Sequence, residues 1–270
     1  MSDTGSAFAR SRKPKVAYEL VCERVFRPLA HLVVVVLLPF RVPPPLVAAA
    51  AGATGIVAAV ELAQSRFLLA ALLVQLKTVF DNADGQLARL SGRITAFGRY
   101  LDSELDLFVN AALFAAVGWS TGRPVLAAAG FVALTTVLNV NYNADRLYRA
   151  AHGDEAGAMP ETTGRAAGLL RHLYVLVYAP QDRLVERFFA WRLRDVSSQA
   201  RLAYHDRGTV LVLANLGMST QLLAFGACIA LGRPAAFAWI ALIELMLVLS
   251  LTLRRELGIR SAPQLKEESL

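Results

Sequence analysis

The chain has 270 residues, of which 56% are hydrophobic and only 18% charged, with a mean hydropathy of +0.45. A soluble domain carries about 25% charged residues, so this deficit excludes an ordinary water-facing globule and points to a bilayer. The net charge of +7 would suit nucleic acid or the basic cytoplasmic loops of a membrane protein, and the placement of the charges decides between them.

Residues 1–43 read as a cytoplasmic N-terminus. Arg10, Arg12, Lys13, Lys15, Glu19, Glu23, Arg24 and Arg27 leave no room for the apolar stretch of a cleavable signal peptide. From about Val16 to Phe40 the chain reads as an amphipathic helix lying on the membrane, because its apolar run is about twelve residues, too short to cross. Six spans follow, over roughly 44–62, 67–90, 96–118, 124–144, 208–231 and 234–253. Each has about 19–24 residues, enough to cross ~30 Å of hydrocarbon at ~1.5 Å per residue. Residues 44–256 therefore form the expected catalytic domain, with 146–207 as a cytoplasmic insertion and 257–270 as a cytoplasmic tail. Gly153, Gly157, Pro160 and Gly164 break the first part of the insertion. Leu173, Val177, Leu184, Phe188 and Trp191 predict an amphipathic helix over 169–194. Cys22 and Cys228 are too few and too far apart for a disulfide framework or a metal knuckle, and read as small hydrophobes. The expected fold class is an all-α integral membrane bundle of six transmembrane helices, with an N-terminal interfacial helix and an amphipathic insertion between spans four and five.

The arginines sort by topology. Arg41 joins the N-terminal cluster, Arg89, Arg93 and Arg99 lie between spans two and three, and the 146–207 connection and the tail are rich in arginine. The intervening connections carry one each, Arg66, Arg123 and Arg233. Six spans place all the rich segments on one side, so both termini face the cytoplasm. That pattern argues against nucleic acid as a partner.

Spans two and three carry an unusual density of carboxylates. Asp81 and Asp84 are three apart, beside Gly85 and Ala88, with Arg89 two turns after Asp81. Gly98, Asp102 and Asp106 are spaced by four and form one stripe. Two helices joined by a short loop are antiparallel neighbours, so the four aspartates can converge near the cytoplasmic ends. An isolated acid at mid-bilayer costs about 2.5–3.5 kcal/mol, and four together repel one another. Divalent cations remove both objections, and all-oxygen ligands suit Mg²⁺ or Mn²⁺. The alternative is salt bridging to Lys77, Arg89, Arg93 and Arg99. Lys77, one turn before Asp81, reads as neutralising the cluster. Glu104 points away from the Asp102/Asp106 stripe and reads as a solvated charge.

The pattern Asp-x-x-Asp-Gly-x-x-Ala-Arg, eight residues, then Gly-x-x-x-Asp-x-x-x-Asp is filled by Asp81, Asp84, Gly85, Ala88, Arg89, Gly98, Asp102 and Asp106. It resembles the signature of the CDP-alcohol phosphatidyltransferases. The resemblance implies an enzyme in which an acceptor hydroxyl attacks the lipid-side phosphorus of a CDP-lipid, such as CDP-diacylglycerol, and CMP leaves. It implies two Mg²⁺ or Mn²⁺ ions held by Asp81, Asp84, Asp102 and Asp106, with Asp106 as general base. It assigns CDP binding to Asp84, Gly85, Ala88, Arg89 and Gly98, and suggests a homodimer in a membrane, the cytoplasmic membrane if the source is bacterial. The small residues would leave space for cytidine, or alternatively serve tight helix packing. Arg89 would pair with a phosphate or an aspartate.

For the acceptor, Asn139, Asn143, Arg146 and Arg149 cluster at the end of span four, and Arg201, His205 and Arg207 at the start of span five. Arg146, Arg149, Arg201 and His205 are the candidate acceptor-binding residues, although positive-inside sorting explains the arginines equally well. Glu244, in mid-span six, reads as a helix–helix hydrogen-bonding residue. Two rival functions share an acid-and-cation chemistry. A membrane prenyltransferase would show a second, distant Asp-rich motif, and a cation transporter would place its acids at mid-membrane with a route to both sides.

Overall fold

The computed structural model describes Ser11, residues 16–153, Gly168, Arg183, and residues 187–194 and 196–261. Among these, every regular element is helical. The expected insertion helix falls largely outside the described residues, including Leu173, Val177 and Leu184. So do Gly157, Pro160, Gly164, Arg10, Arg12, Lys13 and Lys15.

A π-helical turn at Cys22–Phe26 leads into α1 (Arg27–Leu37) and a 3₁₀ turn at Leu38–Phe40. The bundle follows as α2 (Pro44–Ala63), α3 (Phe67–Ser91), α4 (Ala96–Thr121) and α5 (Pro124–Ala151). After the insertion come the short α6 (Ser198–Tyr204), α7 (Arg207–Ala214), α8 (Met218–Ala230) and α9 (Pro234–Ser261). Prolines open α2, α5 and α9, where the missing N–H costs nothing. Among the described residues, four stretches are long and apolar enough to cross a membrane: Pro44–Ala63, Pro124–Ala151, Ala200–Ala230 and Pro234–Gly258. With 25 and 26 residues, α3 and α4 match them in length. Their composition sets them apart, because α3 carries Lys77, Asp81, Asp84 and Arg89, and α4 carries Arg99, Asp102, Glu104 and Asp106.

Three expectations are refined. First, α5 runs to Ala151, so Arg146 and Arg149 sit on its last turns rather than in a connection. Second, the fifth span is broken at residues 215–217 into α7 and α8. The break is held by the N-terminal segment. Asn215 donates to the Tyr18 carbonyl at 3.0 Å and accepts from the Leu20 N–H at 2.9 Å. The Glu19 carboxylate, 5% exposed, accepts from the Thr220 N–H at 3.1 Å. It thereby caps the otherwise unsatisfied, positive end of α8. A Cβ at Gly217 would lie 2.7 Å from that carboxylate, so any side chain there would have to push the Glu19 cap aside. Third, the N-terminal helix is packed rather than merely laid on a surface. Cys22, Phe26, Ala30 and Val34 are buried against the bundle, with α3 as the main partner. Leu32, Val36 and Phe40 remain at least 64% exposed, an apolar face suited to lipid.

The main core lies in the half of the bundle away from the acids. Phe225 stacks on Phe237 at 4.4 Å between centroids, and Phe114 meets both at 5.4 and 5.9 Å. Glu244 accepts a hydrogen bond from Gln221 of α8 at 2.6 Å, the helix–helix role read from its position.

Candidate active site

Four residues, 92–95, separate the helices that carry the acids. Gly92, at φ 67°, closes α3 by a left-handed turn, with the Arg93 N–H donating to the Ala88 carbonyl at 2.9 Å. The Thr95 hydroxyl opens α4 by accepting from the Gly98 N–H at 3.1 Å. Arg93 pins this turn to the α1–α2 corner by donating to the Arg41 carbonyl at 3.1 Å.

So short a connection predicts two helices packed on each other. Instead α3 and α4 both pack against α2 and barely touch one another. The gap between them is the site. Charged side chains filling it explain the separation, since neither helix can close on the other without expelling them.

Lys77 lies at the centre, 2% exposed. Its ammonium donates to Asp81 Oδ1 at 3.0 Å and to Asp106 Oδ1, bridging the two helices. Its stem crosses Gly55 of α2, where a Cβ would come within 3.3 Å of Lys77 Cγ. Asp81, Asp102 and Asp106 each offer a carboxylate oxygen within 4.8 Å of the others. Lys77 thus neutralises the cluster as expected, but one ammonium against three carboxylates leaves an excess of negative charge. An all-oxygen, partly exposed, net-negative pocket fits a hard divalent cation such as Mg²⁺ or Mn²⁺. Asp84 is 8% exposed and stands outside the triad.

The small residues beside the acids are not packing residues. A Cβ at Gly85 would meet only the end of the Arg89 guanidinium, at 3.3 Å. At Gly98 it would meet Thr95 Oγ1 at 3.3 Å and Pro45 Cγ at 3.9 Å. Ala88 is partly exposed. Arg89 lies over Gly85 and its Nε donates to the Ser11 carbonyl.

Glu104 departs from its expected role: it is 2% exposed, not solvated, and its Oε1 has no hydrogen-bond partner among the described residues. The candidate acceptor residues fall into separate local arrangements. Arg146 donates to Asn143 Oδ1 at 2.9 Å, and Arg149 pairs with Asp145 at 2.9 Å. Arg201 folds back on the carbonyls of Val196 and Arg194. His205 is 6% exposed, edge-on to Tyr204 and beside the Arg255 guanidinium.

Sequence reasoning passed over the far side of α3, where Gln75, Asn82 and Gln86 hydrogen-bond to α8 and the N-terminal segment. The available signal was three amide side chains, at i, i+7 and i+11, on one face of the helix.

The described residues thus form an apolar helical bundle with an acidic cleft between two helices, a setting suited to a hard divalent cation. The sequence profile of the CDP-alcohol phosphatidyltransferases matches residues 41–192, more than half of the chain, and the chain belongs to that family. Membership sets aside the prenyltransferase and transporter readings. Among curated proteins, the chain is 32% identical over 93 residues to the bifunctional IPC transferase and DIPP synthase of Thermococcus kodakarensis. That alignment covers 34% of this chain and 22% of the relative. It is 36% identical over 92 residues to the protein of the same name from Rubrobacter xylanophilus, covering 34% and 21%. It is also 35% identical over 105 residues to the phosphatidylinositol phosphate synthase of Corynebacterium glutamicum, covering 37% and 48%. The chain thus spans between about a fifth and a half of the curated relatives it matches.

Proposed function

We propose that this protein transfers a phosphatidyl group from CDP-diacylglycerol, or a similar CDP-lipid, to a small alcohol, releasing CMP. The observation that carries the reading is the gap between α3 and α4. It combines a carboxylate triad, Asp81, Asp102 and Asp106, with glycines whose Cβ directions meet only flexible or distant atoms. An open, acid-lined surface of that kind suits a nucleotide diphosphate approaching the backbone. Asp81, Asp84, Asp102 and Asp106 would hold two Mg²⁺ or Mn²⁺ ions, which when bound supply charge neutralisation for the pyrophosphate and the leaving CMP.

The residues then divide the work. Asp106 takes the proton of the acceptor hydroxyl as its oxygen bonds to the lipid-side phosphorus, and the bond from that phosphorus to the CMP oxygen breaks. Lys77 limits repulsion between Asp81 and Asp106 and orients both. Gly85, Ala88 and Gly98 admit the cytidine and its ribose. Arg89 sits where its guanidinium can leave the Ser11 carbonyl for a phosphate oxygen. Arg146, Arg149, Arg201 and His205 remain the candidates for the acceptor. The phosphatidylinositol phosphate synthase among the relatives makes a phosphorylated polyol the first acceptor to test.

In this reading α3 and α4 cross the membrane too, giving six spans with the site and both termini facing the cytoplasm. The lengths of α3 and α4 and their packing inside the bundle support that arrangement. The protein is expected to work as a homodimer.

The test is CMP release by the purified protein in detergent with CDP-diacylglycerol, Mg²⁺ or Mn²⁺ and a panel of acceptors. Acceptor-dependent CMP that vanishes with chelator and falls at least about 10²-fold in Asp106→Asn supports the reading. Acceptor-dependent CMP that persists in Asp106→Asn removes Asp106 as the base.

A further inference from the structure

The motif helix α3 carries a second polar face that the proposed reaction does not use. At 3.6 residues per turn each residue advances about 100° around the axis. Gln75, Asn82 and Gln86 then share one stripe, about a third of a turn from Asp81 and about half a turn from Asp84. Along the stripe, Gln75 Nε2 donates to the Leu222 carbonyl at 3.1 Å. Asn82 Nδ2 donates to Ser219 Oγ at 3.3 Å, and its Oδ1 accepts from Cys22 Sγ at 3.2 Å. Gln86, 1% exposed, donates to the Arg27 carbonyl at 3.0 Å and accepts from the Ser11 hydroxyl at 3.3 Å. The partners belong to α8 and to the N-terminal segment. Those two are themselves joined, because Glu19 caps α8 and Asn215 grips residues 18 and 20.

Helix α3 needs such a hold. Across the cleft it meets α4 through few close backbone approaches and the Lys77–Asp106 pair, so backbone packing there contributes little to fixing its rotation. Apolar contacts tolerate slippage better than directional hydrogen bonds do, and rotation by a fraction of a turn would carry Asp81 and Asp84 away from Asp102 and Asp106. We propose that Asn82 and Gln86 are positioning residues: their back-side hydrogen bonds fix the rotation of α3, and so the approach of Asp81 to Asp102 and Asp106 in the metal-binding cleft. The inference rests on the reading of these aspartates as metal ligands. Asn82 adjoins Asp81 in sequence, and Gln86 lies two residues beyond Asp84. Gln75 makes the same kind of bond about 9 Å along the helix from Asp81 and serves as the internal control.

The experiment is Mn²⁺ binding by the full chain in detergent, read as loss of the free-ion electron paramagnetic resonance signal, with melting temperatures measured in parallel. Asn82→Leu and Gln86→Leu should each raise the Mn²⁺ dissociation constant by about tenfold, as loss of an outer-shell support does. Gln75→Leu should melt no higher than they do yet bind Mn²⁺ like the parent. Should Asn82→Leu not fold, Ser219→Ala removes one of its bonds without touching α3, and a smaller rise in the same constant is expected. Unchanged affinity in the Asn82 and Gln86 variants, or equal weakening in Gln75→Leu, overturns the inference and leaves the metal site standing. A parent protein that binds no Mn²⁺ overturns both.

Discussion

Two regions of this bundle use small residues for opposite purposes. In the apolar half, glycines let helices meet. A Cβ at Gly130 of α5 would sit 2.7 and 2.8 Å from Ala238 Cβ and Cα on α9, and one at Gly226 of α8 would sit 1.9 Å from Gln75 Nε2. Beside the acids, Gly85 and Gly98 meet no atom closer than 3.3 Å. The first pair is spent on contact between helices, as small residues are in membranes. The second leaves space beside the acids that only side-chain ends border at Gly85, room for the proposed CDP-lipid.

The largest effect is expected from the residue that holds the open region together without ligand. Lys77→Met leaves Asp81 and Asp106 facing each other without their cation. Removing one partner of a buried pair costs about 3–5 kcal/mol, and the low end applies because both aspartates keep 18% side-chain exposure. The metal-free melting temperature should fall, and Mn²⁺ should raise it by more than it raises that of the parent. A variant as stable as the parent without metal would mean that the carboxylates are separately solvated. Next, Gly130→Val should destabilise by about 1–3 kcal/mol or more through overpacking, because backbone as well as side-chain atoms of Ala238 block it. Its melting temperature should stay low with or without Mn²⁺, which separates packing from cleft electrostatics.

The packed region was the more legible from sequence. Proline-opened and glycine-closed apolar runs placed α2, α3 and α4 within a few residues of their ends, because span length and turn chemistry are local properties. The break at residues 215–217 was not legible. It depends on Glu19 and Asn215, about two hundred residues apart, capping and bracing each other's segments. Asp81, Asp102 and Asp106 were readable from spacing, and their convergence is observed. The splay of α3 from α4 was not, since a four-residue turn ordinarily brings helices together, whereas here buried Lys77 and its partners fill the space between them. Glu104 was misread for the same reason. Helical spacing shows which face a residue takes, but not whether another part of the chain covers that face.

Gly85→Ala puts the contrast to its sharpest test. Alanine is favoured over glycine within a helix by about 0.5–1 kcal/mol, and only the flexible end of Arg89 has to move. The variant should melt no lower than the parent, yet lose CMP release through a weakened apparent affinity for the CDP-lipid. Loss of stability with retained turnover would class Gly85 with Gly130.

The smallest effect belongs to the polar pair inside the apolar half. Gln221 donates to Glu244 Oε2 at 2.6 Å and also reaches the Leu216 carbonyl at 3.2 Å, just before the start of α8. Side-chain hydrogen bonds between membrane helices average about 0.6 kcal/mol, because a loosened helix finds other partners. Glu244→Gln keeps an acceptor oxygen at the same reach, so its melting temperature should fall by a degree or two at most and CMP release should be unchanged. Glu244→Leu removes the acceptor and should cost slightly more stability, again with turnover intact. A large loss of turnover in both variants, without loss of stability, would carry the chemistry beyond the acidic cleft and dissolve the division between a packed half and a working half.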